Sequence, residues 1–391
     1  MKKFIALALV LAMAVTVLAA CGGESGGSSG STADTGDTIK IGGLAPLTGE
    51  VSVYGVAASN GAKMAIDEVN ANGGILGGKK IEFLLEDEEG DATKAVNAYN
   101  KLVGEGIVAL IGDVTSKPTM SVAQKSAKDN LPMVTPTATA AEVTTYGSNV
   151  FRACFLDPYQ GEILASYANE KLSAKTAAVL YDSSDDYSIG IAESFKEHAE
   201  AYGIQVVAYE AFGEGDKDFK SQLTKIGAEK PDVLCVPSYY NTIALIVSQA
   251  KDLGIETTFL GGDGWDGVLG ALADGKKTNA DGAIFANHYY SGDTDEVVSN
   301  FFKNYKEIYG TDPNSFAALG YDAAMVLINA IEKAGSTDKD AIIKALNETD
   351  YNGVTGNIQY DGSGDPVKSV TIIKIENGEY TLSEKGYTVK K

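Results

Sequence analysis

From Thr38 onward the chain alternates short apolar runs with longer stretches in which apolar residues recur every three or four positions. Residues 39–45 (IKIGGLA) read as a strand, and 55–72, with Ala57, Met64, Ala65, Ile66 and Val69 on one face, read as a helix. The pair then recurs as strand 80–85, helix 91–103, strand 107–111, helix 118–130 and strand 132–134. A second series opens with helix 158–172. Strands follow at 176–180, 204–209, 232–236, 257–260 and 282–286, with helices at 189–202, 217–228 and 240–253. Helices return at 296–309, 315–334 and 338–347, before strand-like pieces at 357–360 and 370–375. Strands separated by ten or more helical residues need crossover connections, hence mainly parallel sheets covered on both faces. Two such series predict an α/β chain of two doubly wound lobes with a cleft between them.

A segment of another kind precedes this body. Met1-Lys2-Lys3 leads into seventeen almost wholly apolar residues, 4–20, which close as Leu18-Ala19-Ala20-Cys21. The basic start, an apolar run somewhat short of the roughly 20 residues a bilayer crossing needs, and small residues before a cysteine mark a bacterial lipoprotein signal. Residues 1–20 are expected to be removed and Cys21 to carry lipid. Residues 21–37, rich in Gly and Ser, then form a flexible tether with nothing to bury. The body should work on the outer face of the cell membrane.

Charge narrows the partners. The net charge of −21 becomes −23 once Lys2 and Lys3 are gone, and so acidic a surface repels phosphate backbones, which argues against nucleic acid. Cys154 and Cys235 are too few for a disulfide framework; they form one bridge or remain buried thiols. His198 and His288 stand alone, without a cluster at ligand spacing, so neither a metal site nor a Ser-His-Asp triad is supported. Arg152 is the sole arginine, so a bound anion should meet backbone N–H groups and hydroxyls rather than a guanidinium fork. The glycines at 73–78 follow a helix and precede a strand, the reverse of a dinucleotide loop, and suit a helix cap and turn. With no nucleophile elbow, dinucleotide loop or Walker lysine either, an enzyme is disfavoured and no cofactor is expected.

Ligands of open parallel sheets meet the loops at the carboxyl ends of strands, beside the next helix. After Ile111 comes Gly112-Asp113-Val114-Thr115-Ser116-Lys117-Pro118, and after Val134 comes Thr135-Pro136-Thr137-Ala138-Thr139. Together they offer hydroxyls, free N–H groups and a helix dipole, a receptor for a carboxylate; capping by Ser116 is the competing explanation. On the second series, Gly261-Gly262-Asp263-Gly264-Trp265 puts an acid among glycines, where Asp263 could receive an ammonium. Tyr54, Tyr187, Tyr239 and Phe316 stand at other strand or helix ends, and each alone is as readily packing.

In their order along the chain these pieces resemble the type I periplasmic binding proteins, specifically the leucine/isoleucine/valine-binding proteins of ABC importers. The resemblance rests on Leu47-Thr48-Gly49 with Tyr54-Gly55, Asn72-Gly73-Gly74-Ile75, Thr135-Pro136-Thr137-Ala138-Thr139, Val150-Phe151-Arg152, Gly215-Asp216-Lys217-Asp218-Phe219 and Gly320-Tyr321-Asp322-Ala323. It implies two lobes joined by a three-segment hinge, 38–154 with 288–350 and 155–287 with 351–391. It also implies a free L-amino acid whose carboxylate is held at Ser116, Thr137, Ala138 and Thr139. The ammonium would fall to Asp263 with Tyr187 nearby, and the side-chain wall to Tyr54, Tyr239 and Phe316. Relatives of the leucine type carry glutamate where this chain has Asp263; Trp265 adds bulk expected to narrow the pocket, and Lys117 puts a cation near the carboxylate site.

The resulting expectation is a monomeric, lipid-anchored binding protein that delivers an apolar, branched-chain amino acid to an ABC permease and its ATPase subunits. The same fold could instead serve as an amino-acid sensor for a membrane partner, or carry a different amino acid.

Overall fold

The computed structural model describes residues 38–360 and 362–389; the leader, Cys21 and the tether lie outside the described residues. The first series comprises β1 (Thr38–Ala45), α1 (Ser52–Ala71), β2 (Lys80–Asp87), α2 (Ala92–Gly104), β3 (Ala109–Ile111), α3 (Ser116–Asp129), β4 (Met133–Thr135) and β5 (Val150–Arg152). Its strands pair in parallel in the order β2-β1-β3-β4-β5. The second series runs α4 (Asp157–Glu170), β6 (Thr176–Asp182), α5 (Asp186–Ala201), β7 (Gln205–Phe212), α6 (Lys220–Glu229), β8 (Val233–Cys235), α7 (Tyr240–Asp252), β9 (Thr258–Gly261), α8 (Val268–Ala271) and β10 (Ile284–Asn287). Its order, β7-β6-β8-β9-β10, repeats the winding of the first. The chain closes with α9 (Glu296–Tyr309), α10 (Ser315–Ala334), α11 (Lys339–Asn347), β11 (Asp350–Gly353), β12 (Gly356–Gln359), β13 (Val370–Glu376) and β14 (Glu379–Tyr387). The last two strands extend the second sheet antiparallel, beyond β10.

Helices α10 and α11 lie on the five-stranded sheet, where Leu319, Leu327, Ile331, Ile342 and Leu346 share a core with Ile41, Ile111 and Val134. Helix α10 is rich in alanine and buried around most of its circumference, as a helix enclosed by other elements must be. It meets α1 at glycines: a Cβ on Gly61 would lie 1.9 Å from the Ala317 carbonyl oxygen, and one on Gly320 2.0 Å from that of Ala58. The hairpin β11–β12 is a separate two-stranded ribbon. Its Ile358, with Tyr360 just beyond it, packs in the core of the five-stranded sheet, whereas the C-terminal strands had been expected together on the second. Asp322 of α10 fastens the hairpin by accepting from the Val354 N–H at 2.9 Å, the Thr355 N–H at 2.8 Å and the Thr355 hydroxyl at 2.6 Å.

Cys154 and Cys235 are buried free thiols, which removes the bridge alternative. Burial pushes the Cys154 thiol up to about 12, so it stays protonated and unreactive.

Candidate functional site

Because both sheets wind the same way, each has a point where neighbouring strands send their crossovers in opposite directions, and loops diverge there to leave a crevice. In the first sheet this lies between β1 and β3, and in the second between β6 and β8. The residues singled out in the sequence gather at the loops around these two points.

On the first side, Ser116 opens α3 but is not its cap. That position belongs to Thr115, which makes no side-chain capping bond. The Ser116 hydroxyl instead accepts from the Ala140 N–H at 3.2 Å, and no acceptor for its own proton is found among the described residues. The first N–H groups of α3 have no partner within the helix, which leaves a positive end beside a free hydroxyl. Thr137 donates its hydroxyl to the Val114 carbonyl at 2.6 Å, and the Ala138 N–H is taken by the Thr135 hydroxyl at 3.1 Å. These two therefore shape the loop, while Ser116 keeps an uncommitted donor. Arg152 braces the loop from within: its guanidinium donates to the Ala138 carbonyl at 2.9 Å and pairs with Asp365 at 2.6 Å. The sole arginine is wholly buried and structural.

Two acids, Glu88 and Asp113, are buried close by. Desolvation raises both, Glu88 to about 9 with help from the Asp113 charge, so the pair retains a proton at neutral pH. Held partly neutral, they repel a nearby anion less than two full charges would.

The second side presents carboxylates and tyrosines. Asp263 is buried; one of its carboxylate oxygens accepts from the Gln160 amide at 3.2 Å, while the other meets His288 Nε2 at 3.2 Å. Gln160 also donates to Asp157 at 3.1 Å, and its own oxygen receives the Asp263 N–H at 2.9 Å. One amide side chain thus links two acids, and the Thr139 hydroxyl, from the loop of the first side, also acts on the Asp157 carboxyl. Burial, with the Asp263 charge adding to it, holds Asp157 well above the usual carboxylate range. Asp185 is raised to about 7, first by burial and then by Asp182. His288 is pushed down to about 4 by burial against the opposing pull of Asp263, so the ring is neutral and donates through Nε2. Its ring stacks on Phe155 at 3.6 Å.

The aromatic residues form one continuous set. Tyr187 and Tyr239 stack at 5.1 Å, Tyr239 meets the edge of Tyr54 at 5.9 Å, and Tyr54 stacks on Phe316 at 4.0 Å. The structure therefore brings Tyr54, Tyr187, Tyr239 and Phe316 together. Trp265 is placed differently: its indole N–H donates to the Val236 carbonyl at 2.9 Å and its ring faces Phe259 and Phe285, so it packs within the second side instead of joining that set. Lys117 lies on the rim, half exposed, 3.8 Å from Glu214. Beside it a cavity of about 440 Å³, lined by Thr115, Lys117, Asp185, Ser238 and Tyr239, leads toward the aromatic set.

Asp157, Gln160 and His288 escaped sequence reasoning. For the first two a signal existed: an acid and an amide three apart at the start of a helix, following an apolar strand end. For His288 there was none, because its partner Asp263 is 25 residues away.

Among the described residues no group of His, Cys, Asp and Glu could hold a metal, and no helix is long and apolar enough to cross a membrane. The two sides are alike in winding, one offering hydroxyl and N–H donors and the other buried carboxyl groups and tyrosines. The periplasmic binding protein family model matches residues 38–379, and the chain belongs to that family, whose members are solute-binding proteins and not enzymes. It is 36% identical over 354 residues to the Leu/Ile/Val-binding protein BraC3 of Rhizobium johnstonii, covering 88% of this chain and 94% of that one. It is 32% identical to the leucine-, isoleucine-, valine-, threonine- and alanine-binding protein of Pseudomonas aeruginosa, with 89% and 90% covered. Among solved structures it resembles the leucine-binding protein LivK of Thermotoga maritima, with TM-score 0.83, 35% identity, and 88% and 98% covered. It also resembles the branched-chain amino acid binding protein LivJ of Streptococcus pneumoniae in complex with isoleucine, with TM-score 0.82, 33% identity, and 89% and 98% covered. The fold is thus the type I periplasmic binding protein fold, and the family works outside the cytoplasm.

Proposed function

We propose that this protein captures a free apolar amino acid of the branched-chain class and hands it to an ABC permease with its ATPase subunits. The observation that carries the reading is the opposition of unlike charges across the cleft. The Ser116 hydroxyl and the α3 N-terminus receive the ligand carboxylate, with the loop from Thr137 to Thr139 shaping that side. Asp263 receives the ammonium, with Asp157 joined to it through Gln160 and Tyr187 supporting its loop. Tyr54, Tyr239 and Phe316 offer the side chain aromatic surface and no formal charge. On this reading there are two lobes, 38–154 with 288–350 and 155–287 with the C-terminal strands β13 and β14, and the hairpin β11–β12 is grouped with the first; hinge motion about the crossings near Ala153, His288 and Lys368 would open the cleft.

A thermal-shift screen of the twenty amino acids tests this reading, since a ligand that binds only the folded state raises the melting temperature. Leucine, isoleucine and valine should stabilise most. Because one methylene is worth about 1–3 kcal/mol in an apolar pocket, they should differ modestly from one another. Stabilisation by acidic or basic amino acids alone would remove the apolar assignment. In the cell the protein is held to the membrane by lipid on Cys21, and Cys21→Ala should move it to the soluble fraction; retention after a high-salt wash would count against lipidation.

A further inference from the structure

The side-chain wall needs only the ring of Tyr54. Its hydroxyl is engaged elsewhere: it donates to the Gly264 carbonyl at 2.5 Å and accepts the Tyr240 N–H at 2.9 Å. Tyr54 belongs to α1 on the first side, whereas Gly264 and Tyr240 belong to the second. Tyr240 is the first residue of α7, so its N–H is among those a helix leaves without an internal partner. The Gly264 carbonyl is likewise outside the local turn, whose bonds run from Trp265 N–H to Gly262 and from Asp266 N–H to Asp263. One phenol oxygen therefore serves a buried donor and a buried acceptor of the opposite side. Stacking on Phe316, nearly parallel at 12°, and an edge contact with Tyr240 at 4.9 Å hold the ring in place.

Gly264 is also held by its own side, because its N–H, in the preceding Asp263–Gly264 peptide, donates to the Tyr187 hydroxyl at 2.9 Å. There is no slack around it: a Cβ on Gly264 would lie 2.4 Å from the Ser238 carbonyl oxygen, and one on Gly262 2.8 Å from the Tyr187 hydroxyl. Asp263 sits between these glycines, so fixing Gly264 fixes the carboxylate.

We propose that the Tyr54 hydroxyl is a positioning group for Asp263, a clasp made only when the two sides meet, which holds the Gly264–Trp265 peptide, one residue beyond the ammonium-binding carboxylate. This rests on the amino-acid reading above. Its consequence is kinetic: encounter with the first side needs no clasp, but escape requires the clasp to break.

Tyr54→Phe in the mature chain keeps the ring and its stacking while deleting both bonds. With L-leucine and L-valine as probes, stopped-flow binding should show dissociation faster by about 5- to 20-fold, association within about twofold, and an unchanged leucine-to-valine ratio. Hydrogen exchange supplies a second readout that does not depend on which ligand binds. The Tyr240 amide should be protected in the wild type and exchange freely in Tyr54→Phe, while the α7 amides beyond its first turn keep their protection. Unchanged dissociation, a several-fold shift in the leucine-to-valine ratio, or equal Tyr240 exchange in both proteins would each overturn the clasp. Failure of the wild type to bind any amino acid would instead sink the functional reading, leaving the exchange comparison to judge the clasp.

Discussion

The two halves of this protein are wound alike and equipped differently. Both place their ligand-facing loops at a switch in crossover direction, between β1 and β3 in one and between β6 and β8 in the other. At the first, side-chain hydroxyls are largely taken up in shaping the loop, and the proposed attraction for an anion rests on a helix end and the Ser116 hydroxyl. At the second, carboxyl side chains line the loops, and Gln160, His288 and Tyr187 direct hydrogen bonds to Asp263 and its loop. A shared winding therefore fixes where a ligand sits without fixing the sign of charge it meets. The sign is a property of a few residues on short loops, so the fold alone could not have told it.

The difference predicts unequal costs on mutation. Asp263→Asn should cost about 2–5 kcal/mol of amino-acid affinity, a loss of about 30-fold or more, because an ammonium is stranded in a poorly solvated cleft. Ser116→Ala removes one neutral donor among several and should cost about 1 kcal/mol, or about fivefold. Calorimetry with leucine on both variants compares the sides directly; equal losses, or a larger loss for Ser116→Ala, would reverse the contrast drawn between them.

An effect on stability instead of binding should appear as pH is varied. The folded protein holds a proton on Glu88 up to about 9, whereas the unfolded chain releases it near the ordinary carboxylate value of 4.5. Unfolding between those values releases a proton, so this group's contribution is full at low pH and is lost as pH rises toward 9. The slope is at most about 1.4 kcal/mol per pH unit for one proton. Glu88→Gln should flatten the decline in denaturant midpoint between pH 6 and 9, and an unaltered decline would show that the first side's buried acids are not paired as described.

The alternation of strands and helices was legible because burial on both faces of a parallel sheet leaves continuous apolar runs, and the crossover helices keep a 3.6-residue period. What escaped was short or polar. β5 ends in Arg152 and follows β4 without an α-helical crossover, so it lacked the alternation that marked the equally short β3, β4 and β8, and β14 is an edge strand whose sequence, EYTLSEKGY, is mostly solvent-facing. In the candidate site, the positions of residues next to strand ends, such as Ser116 and Asp263, were legible in the sequence. Partners joined only by folding were not: His288 and Gln160 reach Asp263 from segments 25 and 103 residues away. Trp265 shows the opposite hazard, since adjacency to Asp263 in sequence did not put its ring among the other aromatics. A residue two positions along a tight turn can face the interior of its own domain.

The single arginine offers one more consequence, as a reporter. An arginine-specific protease has one bond to cut in this chain, after Arg152, and that residue is wholly buried where the chain leaves the five-stranded sheet. Cleavage must wait for β5 to leave the sheet and for the guanidinium to let go of Asp365 and the Ala138 carbonyl. When reclosing outpaces cutting, the digestion rate follows the population of that opened form. The natural sequence thus carries a built-in gauge of its own opening, read as the appearance of two fragments of defined size without any label or engineered site.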